Sequence, residues 1–389
     1  MNNKILILFI ILLLVYLISI QSNNNKERSV VKEKRVVFIS YIELSEYLKN
    51  KNEQEAKKNI DEMINNINKF KFNVVVLQVR SFSDSIYESK YYPWSKVICD
   101  KEGDKYSFDV LDYFIKKTHQ NNIELHAWIN PYRVRTTNSI DDISKINPAY
   151  KMINSNDINI SDNGIYYNPA SIKVQKLIKD GIEEILSNYE VDGIFFDDYF
   201  YPNLEIDYEN YKEYINNNKY ISIENYHLLM VNNLVKDVHS LTKKYNKLFG
   251  ISPEGNIENN YSKNQADVYN WGKSDIYVDY LMPQIYYGFL NETSPFYEVL
   301  LRWENIVKNS NVKIIPALAF YKIDKEDIYA KKGRLEWIEN DDIIMRQVLL
   351  SRNIGHYDGF AIYRYDSLFR ENSEHVNKEI NNLKKVMKD

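Results

Sequence analysis

Three acidic residues stand where short apolar runs of the sequence end. Asp197 and Asp198 follow the run IFF at 194–196, and Glu254 follows the run GISP at 250–253. Glycoside hydrolysis needs two carboxyl groups beside the scissile bond, one as proton donor and one as nucleophile or base. Neighbouring strand residues point to opposite faces, so we expect only one of the two aspartates to face a shared site, and Asp197 fits better. A capping or ion-pairing role is the alternative for each aspartate, and a position on the rim without a role in the reaction is the alternative for Glu254.

A second group of residues could hold a sugar. Tyr and Trp rings pack on the C–H face of a pyranose and hydrogen-bond its hydroxyls, whereas Arg, His, Asn and Gln bind hydroxyls or charged substituents. The chain has 33 Tyr, against 16 Phe and 5 Trp, and many of the tyrosines follow apolar runs. The candidate substrate-binding residues are Arg80, His126, Trp128, Asn130, Tyr132, Arg133, Tyr199, Tyr201, Gln284, Tyr286, Tyr287, Tyr321 and Arg364.

The composition disfavours several other chemistries. Cys99 is the single cysteine and the six histidines show no paired-ligand spacing, so we expect neither a metal site nor a cofactor. The formal charge of -4 provides no basic excess for phosphates, so nucleic acid is not an expected partner. With 44% hydrophobic and 27% charged residues, the chain supports a large folded core.

Strands and helices alternate in the pattern of apolar residues. Val- and Ile-rich runs predict strands at 36–42, 73–80, 123–130, 192–198, 249–253, 279–286, 313–320 and 359–365. Between them, apolar residues spaced by three and four predict helices with one buried stripe, for example Ala56, Ile60, Met63, Ile64 and Ile67. Eight such units predict an α/β fold, the (β/α)8 TIM barrel, with an open doubly wound sheet as the alternative.

Long loops follow the predicted strands, whereas short ones precede them. Residues 81–107, 131–171 and 199–221 follow the second, third and fourth strands. In a barrel, all loops of this kind lie at the carboxyl ends of the strands, where such enzymes carry their active sites. The three acids and the aromatic residues above are therefore expected on one face.

The first residues differ from the rest of the chain. The run at 5–20 is almost wholly apolar and is followed by polar residues, which predicts a membrane anchor or a signal peptide. We expect segment 1–22 to be this element, 23–34 a polar linker and 35–389 the barrel, located outside the cell membrane. Basic residues at 26–35 lie after the apolar run and weigh mildly against that orientation.

Six ordered motifs carry a family resemblance. They are PWS at 93–95, HAWINPYR at 126–133, YNPA at 167–170, VDGIFFDDYFYP at 191–202, FGISPEGN at 249–256 and VDYLMPQIYY at 278–287. Together they resemble the glycosyl-hydrolase-like family 10 proteins of bacterial envelopes, over about residues 35–366. The resemblance implies a TIM barrel, hydrolysis of O-glycosyl bonds and an envelope location. Many members carry an apolar residue where this chain has Glu254.

The fourth strand is also similar to two other glycosidase motifs. Its sequence resembles the chitinase-type strand, with Phe195 in place of an inner aspartate and Tyr199 in place of the acidic glutamate. It resembles the amylase-type strand as well, whose final aspartate is the nucleophile. Both comparisons select Asp197.

Three hypotheses follow from these residues. The first is an exported, membrane-tethered glycoside hydrolase that cleaves a cell-envelope polysaccharide, such as the glycan strand of peptidoglycan. In it, Asp197 is the nucleophile or base, and Glu254, or else Asp198, is the proton donor. The second is a non-catalytic barrel that binds glycans. The third is a hydrolase of another bond, such as an amide, for which the chain lacks an evident metal site or nucleophile pattern.

Overall fold

Twelve strands occur in the part of the chain that this computed structural model describes, residues 33–198, 200–201, 204–218 and 220–388. They are β1 (Lys34–Ile39), β2 (Val74–Arg80), β3 (Glu124–Ile129), β4 (Arg133–Arg135), β5 (Ile158–Ser161), β6 (Gly164–Tyr167), β7 (Gly193–Phe196), β8 (Leu248–Ile251), β9 (Tyr280–Leu281), β10 (Lys313–Ile314), β11 (Ala317–Ala319) and β12 (Gly359–Tyr363). Nine of them form one parallel sheet in the order β10-β9-β8-β7-β3-β2-β1-β12-β11. Each of the eight predicted strand positions contributes to it.

The two outer strands of this sheet are consecutive in the chain. Only Ile315 and Pro316 separate β10 from β11. The Ile315 N–H donates to the Leu281 carbonyl on one side, and the Ala361 N–H donates to the Pro316 carbonyl on the other, both at 2.9 Å. The sheet therefore curls, and its helices surround it.

Thirteen α-helices occur in the described residues. They are α1 (Tyr41–Leu48), α2 (Glu53–Lys69), α3 (Val110–Gln120), α4 (Ile172–Asn188), α5 (Tyr208–Asn217), α6 (Ile223–Lys244), α7 (Ile257–Ser262), α8 (Val268–Lys273), α9 (Phe296–Val307), α10 (Glu336–Glu339), α11 (Ile343–Ser351), α12 (Tyr365–Phe369) and α13 (Glu374–Val386). The predicted stripe of α2 is buried, and its Ile60 and Ile64 share a core with Val75 of β2. Ser171 and Ser222 accept backbone N–H bonds at the starts of α4 and α6, which sets where these helices begin.

Two glycines on neighbouring strands make room inside the curled sheet. A Cβ atom on Gly250 would lie 2.0 Å from the Tyr280 ring, and one on Gly193 would lie 3.0 Å from His126 Nδ1. Those two side chains meet in the vacated space, where His126 Nδ1 lies 2.6 Å from the Tyr280 hydroxyl. The glycines of the motifs DGIFF and FGIS therefore serve packing inside the sheet.

A small antiparallel sheet, β4-β6-β5, lies within the long loop after β3. Its Arg135 forms a buried ion pair with Glu102 from the loop after β2, and Asn147 donates to the same carboxylate at 2.8 Å. These contacts therefore join the loop after β2 to the loop after β3. The sequence pattern did not predict this sheet.

The predicted membrane segment at 5–20 lies outside the described residues. Within the described ranges, no helix combines the length and apolar character that crossing a membrane requires.

Candidate functional site

Asp197 and Asp198 lie at the carboxyl end of β7, beyond its last residue, Phe196. Strand alternation no longer applies there, and Asp198 sits in a bend. Burial, two neighbouring tyrosines and both carboxylates raise the pKa of Tyr286 well above its usual value. Both carboxylates therefore lie close enough to Tyr286 to raise the pKa of its hydroxyl. We call this opening of the curled sheet, at the carboxyl ends of its strands, the mouth.

A chain of hydrogen bonds ends on Asp197. The Tyr41 backbone N–H donates to Gln78 Oε1 at 2.8 Å, Gln78 Nε2 donates to Asn130 Oδ1 at 2.6 Å, and Asn130 Nδ2 donates to Asp197 Oδ2. A backbone N–H is only a donor, so the first bond fixes the orientation of both amides. The last bond therefore presents an N–H donor, and not a carbonyl oxygen, to Asp197 Oδ2.

Asp198 has the opposite electrostatic environment. Burial, the adjacent Asp197 carboxylate and Glu254 raise its pKa well above the usual value for an aspartate, while Arg133 opposes this shift. The pair thus combines one carboxylate held as an acceptor with one carboxyl group that keeps its proton to higher pH. A carboxyl group that keeps its proton beside a carboxylate that accepts hydrogen bonds is an arrangement that general acid–base chemistry uses.

Glu254 follows β8, the strand next to β7, and forms a parallel bridge with Gln284. Its carboxylate accepts bonds from the Asn259 side chain at 2.7 Å and from the Asn264 side chain at 3.4 Å. Its backbone N–H donates to Asn260. Two side-chain amides thus hold the Glu254 carboxylate in place, and its charge acts on Asp198.

Three tyrosines form one wall of the mouth. The rings of Tyr286, Tyr321 and Tyr363 lie 5.7 to 5.9 Å apart, pair by pair. The Tyr363 ring also packs edge-on against the Phe38 ring of β1, with the ring centres 5.6 Å apart. Burial and Asp327 raise the pKa of Tyr321 to about 12, and burial and Glu254 raise that of Tyr287 to about 12. These hydroxyls keep their protons at neutral pH and can donate hydrogen bonds.

Two arginines border the mouth. Arg133 donates from Nε to the Ser81 carbonyl at 2.9 Å, and its guanidinium lies 5.0 Å from the centre of the Phe82 ring. Arg364 forms a 2.9 Å ion pair with Glu43, an acid that is fully buried. Both cations are thus held in place, as is Gln284, which donates to the Ser252 carbonyl at 3.2 Å.

The structure places five of the sequence-predicted binding residues away from the mouth. His126 and Trp128 point into the sheet below Asn130, and at about 3.3 Å per residue His126 lies roughly 13 Å deeper. Trp128 packs against Phe38 and Phe195. Tyr132 is fully buried in the outer core.

The other two binding residues that lie away from the mouth are Arg80 and Tyr201. Arg80 follows an irregularity of register between β2 and β3 and is buried with its guanidinium over the Tyr92 ring at 4.5 Å. The Tyr201 hydroxyl donates to Asp207, which also lies 3.0 Å from His227 Nε2. Tyr199 lies outside the described residues.

Sequence reasoning also missed residues that the structure brings to the mouth. Gln78 and Tyr363 were absent from the candidate list, although both stand at strand ends. Within the described ranges, no group of three or more His, Cys, Asp and Glu side chains is arranged to hold a metal ion.

Comparison with known proteins decides the family. The model of the family "Glycosyl hydrolase-like 10" matches residues 33–334. The chain belongs to this glycosyl hydrolase-like family. It is 29% identical to the glycosyl hydrolase YngK of Bacillus subtilis over 325 residues, 77% of this chain and 61% of YngK. It is 26% identical to the glycosyl hydrolase DigH of Escherichia coli K12 over 338 residues, 78% of this chain and 74% of DigH.

Solved structures agree with this fold. The glycoside hydrolase domain of PgaB (BpsB) from Bordetella bronchiseptica matches with a TM-score of 0.57 and 11% identity, over 90% of this chain and 99% of that domain. The catalytic domain of β-amylase from Paenibacillus polymyxa matches with a TM-score of 0.57 and 9% identity, over 92% and 99%. The glycosyl hydrolase-like 10 chain thus has the curled sheet and helices of glycoside hydrolases. It spans 61% of the length of YngK.

Proposed function

We propose that this protein is a glycoside hydrolase that cleaves a polysaccharide at the mouth, with Asp197 and Asp198 as its reacting acids. The observation that carries the proposal is the oriented chain from Tyr41 through Gln78 and Asn130 to Asp197. It holds one carboxylate as an acceptor directly beside a second carboxyl group whose pKa is raised. The family and its structural relatives supply the reaction class.

In this mechanism Asp198 is the proton donor. Its raised pKa keeps a proton available for the leaving glycosidic oxygen. Asp197, deprotonated and held by Asn130, attacks the anomeric carbon or activates a water that does so. Glu254 contributes negative charge that supports the protonated state of Asp198. This assignment differs from the sequence-based ranking, which placed Glu254 ahead of Asp198 as the acid.

The tyrosine wall favours a sugar as the ligand. Tyr286, Tyr321 and Tyr363 present aromatic rings with hydroxyls at their edges, and both parts complement a pyranose. Arg133 and Arg364 would bind hydroxyls or acidic substituents of the sugar at the border of the mouth. A polymer is the favoured substrate because the mouth is bordered by long loops and not enclosed by a lid in the described ranges.

The finer features of the fold belong to the same proposal. We take β10 and β11 as halves of one seventh strand, which makes the sheet a closed (β/α)8 barrel. We also propose that the apolar segment at 5–20 anchors the protein in the cell membrane with the barrel outside, where the glycan strand of peptidoglycan is the substrate. Protease treatment of intact cells tests the orientation, because an outside barrel is digested and an inside one is protected.

The decisive experiment measures products released from purified glycan strands by the full-length protein. Asp197→Asn and Asp198→Asn are expected to lower turnover by at least about a thousandfold each, in the range seen when reacting groups are removed. Asp180→Asn is the matched control, because Asp180 pairs with Lys176 on the surface of α4. Full turnover in Asp197→Asn overturns the assignment. Glycan binding without turnover in the parent supports the binding-barrel alternative instead.

A further inference from the structure

A groove of about 480 Å³ lies beside the mouth, between α6, α7 and α8. The side chains that shape it include Asn225, Leu228 and Asn232 of α6, Tyr261 of α7, and Tyr269 and Asn270 of α8. The proposed reaction at the mouth does not use this groove.

Two exposed aromatic rings stand in this groove. Tyr261 and Tyr269 are 40% and 36% exposed, and their ring centres lie 6.0 Å apart at 67°. This edge-to-face contact fixes both rings and leaves ring surface open to a ligand. Exposed single aromatic residues are ordinary, but a fixed pair in a concave groove is the arrangement that stacks on a flat apolar face.

The polar groups of the groove are held in fixed orientations. The side-chain amides of Asn232 and Asn270 both donate to Asp267, and the indole N–H of Trp271 donates to Asn232 Oδ1 at 2.6 Å. The Asp267 carboxylate is therefore occupied by protein donors and is buried. None of the described residues lining the groove is basic, so its chemistry suits an uncharged ligand with hydroxyl groups.

The groove adjoins the candidate catalytic acids through α7. This helix begins three residues after Glu254, and its Asn259 donates to the Glu254 carboxylate. Tyr261 lies two residues further along the same helix. Because α7 has only six residues, about 9 Å of helix, only this short helix separates Glu254 at the mouth from the groove, and a chain long enough to cross it reaches both.

We propose that this groove is an outlying subsite that binds neutral sugar rings of the polysaccharide beyond those at the mouth. The proposal rests on the proposed function for the identity of the chain, and it makes the protein selective for long glycans. Tyr261 and Tyr269 would pack on one neutral ring of the strand, in which neutral and acidic sugars alternate, and Asn225 and Asn270 would bind the hydroxyls of that ring.

The test measures affinity by titration calorimetry in the full-length Asp197→Asn protein, so that turnover does not consume the probe. The probes are peptidoglycan glycan strands freed of peptides, and a disaccharide made from the same strands. Replacing both Tyr261 and Tyr269 by alanine is expected to weaken strand binding about tenfold, equal to about 1.4 kcal/mol, and to leave disaccharide binding unchanged. Tyr297→Ala, at an exposed position of α9, is the matched control.

Each outcome decides the proposal separately from the reaction. Equal strand affinity in the double variant and the parent overturns the subsite, whatever the hydrolysis assay shows. An equal loss for strand and disaccharide also overturns it, because it indicates a disturbed mouth. Absence of strand binding by the parent overturns it as well. A selective loss for the strand supports the subsite even if Asp197→Asn retains turnover, a result that would overturn only the assignment of Asp197. Unchanged melting temperatures confirm that the alanine variants fold.

Discussion

The Asn130 side-chain amide donates to the carboxylate of Asp197, joining the ends of β3 and β7. The direction of this bond is set two bonds earlier, by the backbone N–H of Tyr41. A side-chain amide can rotate and exchange its donor and acceptor, but Gln78 cannot do so here without facing one donor with another. The backbone at the start of α1 thereby determines that Asn130 presents a donor to Asp197.

Reversing the direction of the hydrogen bonds between Gln78, Asn130 and Asp197 should reduce turnover without unfolding the protein. In Gln78→Glu, the new carboxylate still accepts from the Tyr41 N–H but no longer donates to Asn130. The Asn130 amide then turns toward it and presents its oxygen to Asp197, which disfavours the carboxylate form of Asp197. We expect kcat to fall about ten- to a hundredfold, corresponding to one or two lost charge-assisted bonds, with little change in KM.

Gln54→Glu provides the control, because Gln54 is exposed on α2. The pH profile separates positioning from simple damage. A repositioned Asp197 requires higher pH to ionise, so the acidic limb of the kcat profile should move upward. A uniform loss at every pH would contradict the positioning role of Gln78.

Removing the charges around Asp198 should move the basic limb of the pH profile in opposite directions. A proton donor is active only while protonated, so activity falls as pH rises through its pKa. Glu254 raises the pKa of Asp198 and Arg133 lowers it. Glu254→Gln should therefore shift the basic limb to lower pH, and Arg133→Gln to higher pH.

Both variants are expected to retain measurable turnover, which kcat/KM across pH 4 to 9 would determine. Loss of turnover at every pH in Glu254→Gln would instead identify Glu254 as the proton donor. Glu258→Gln is the matched control for the first variant, since Glu258 pairs with Arg302 on the exposed side of α7.

The sequence predicted the strands but not the layer in which each side chain lies. Apolar runs and their spacing report burial, and this located all eight strand positions. His126, Trp128 and Asn130 share one face of β3, and sequence spacing cannot show which of them reaches the mouth. Arg80 was misplaced for another reason, because the register between β2 and β3 shifts after Gln78.

Replacing His126 should affect stability and not substrate affinity. In His126→Leu, the buried Tyr280 hydroxyl loses its partner and Glu124 loses the imidazole that chiefly lowers its pKa to about 2. We expect unfolding to become easier by about 1–3 kcal/mol, measured by urea denaturation at neutral pH, with KM unchanged. A raised KM at unchanged stability would instead indicate that His126 contacts the substrate. Asn130→Leu is the contrasting variant, expected to lower kcat.

Local sequence patterns did not predict the small sheet β4-β6-β5 or the contacts among Tyr286, Tyr321 and Tyr363. Strands β4 to β6 have three or four residues each, too few to show alternation. Their position depends on the buried pair of Arg135 and Glu102, which joins residues 33 apart in sequence. Tyr363 was passed over because its partners Tyr286 and Tyr321 come from other strands.

The buried carboxyl group of Glu379 should make the protein less stable as pH rises toward neutrality. Glu379 on α13 accepts the backbone N–H groups of Ile343 and Ile344 at the start of α11. Burial raises its pKa from 4.5 to about 7. The folded state therefore binds its proton more tightly than the unfolded chain does. The resulting stabilisation is complete below about pH 4.5 and is lost as pH rises through about 7.

Urea denaturation between pH 4 and 8 tests this dependence. In Glu379→Gln the group no longer titrates, so this part of the pH dependence, on the order of 3 kcal/mol, should disappear from the free energy of unfolding. Glu374→Gln is the control on the same helix, because Glu374 is exposed and its Lys378 partner lowers its pKa. An unchanged slope in Glu379→Gln would show that Glu379 is ionised in the folded protein throughout this range, with the N–H groups of α11 outweighing the effect of burial.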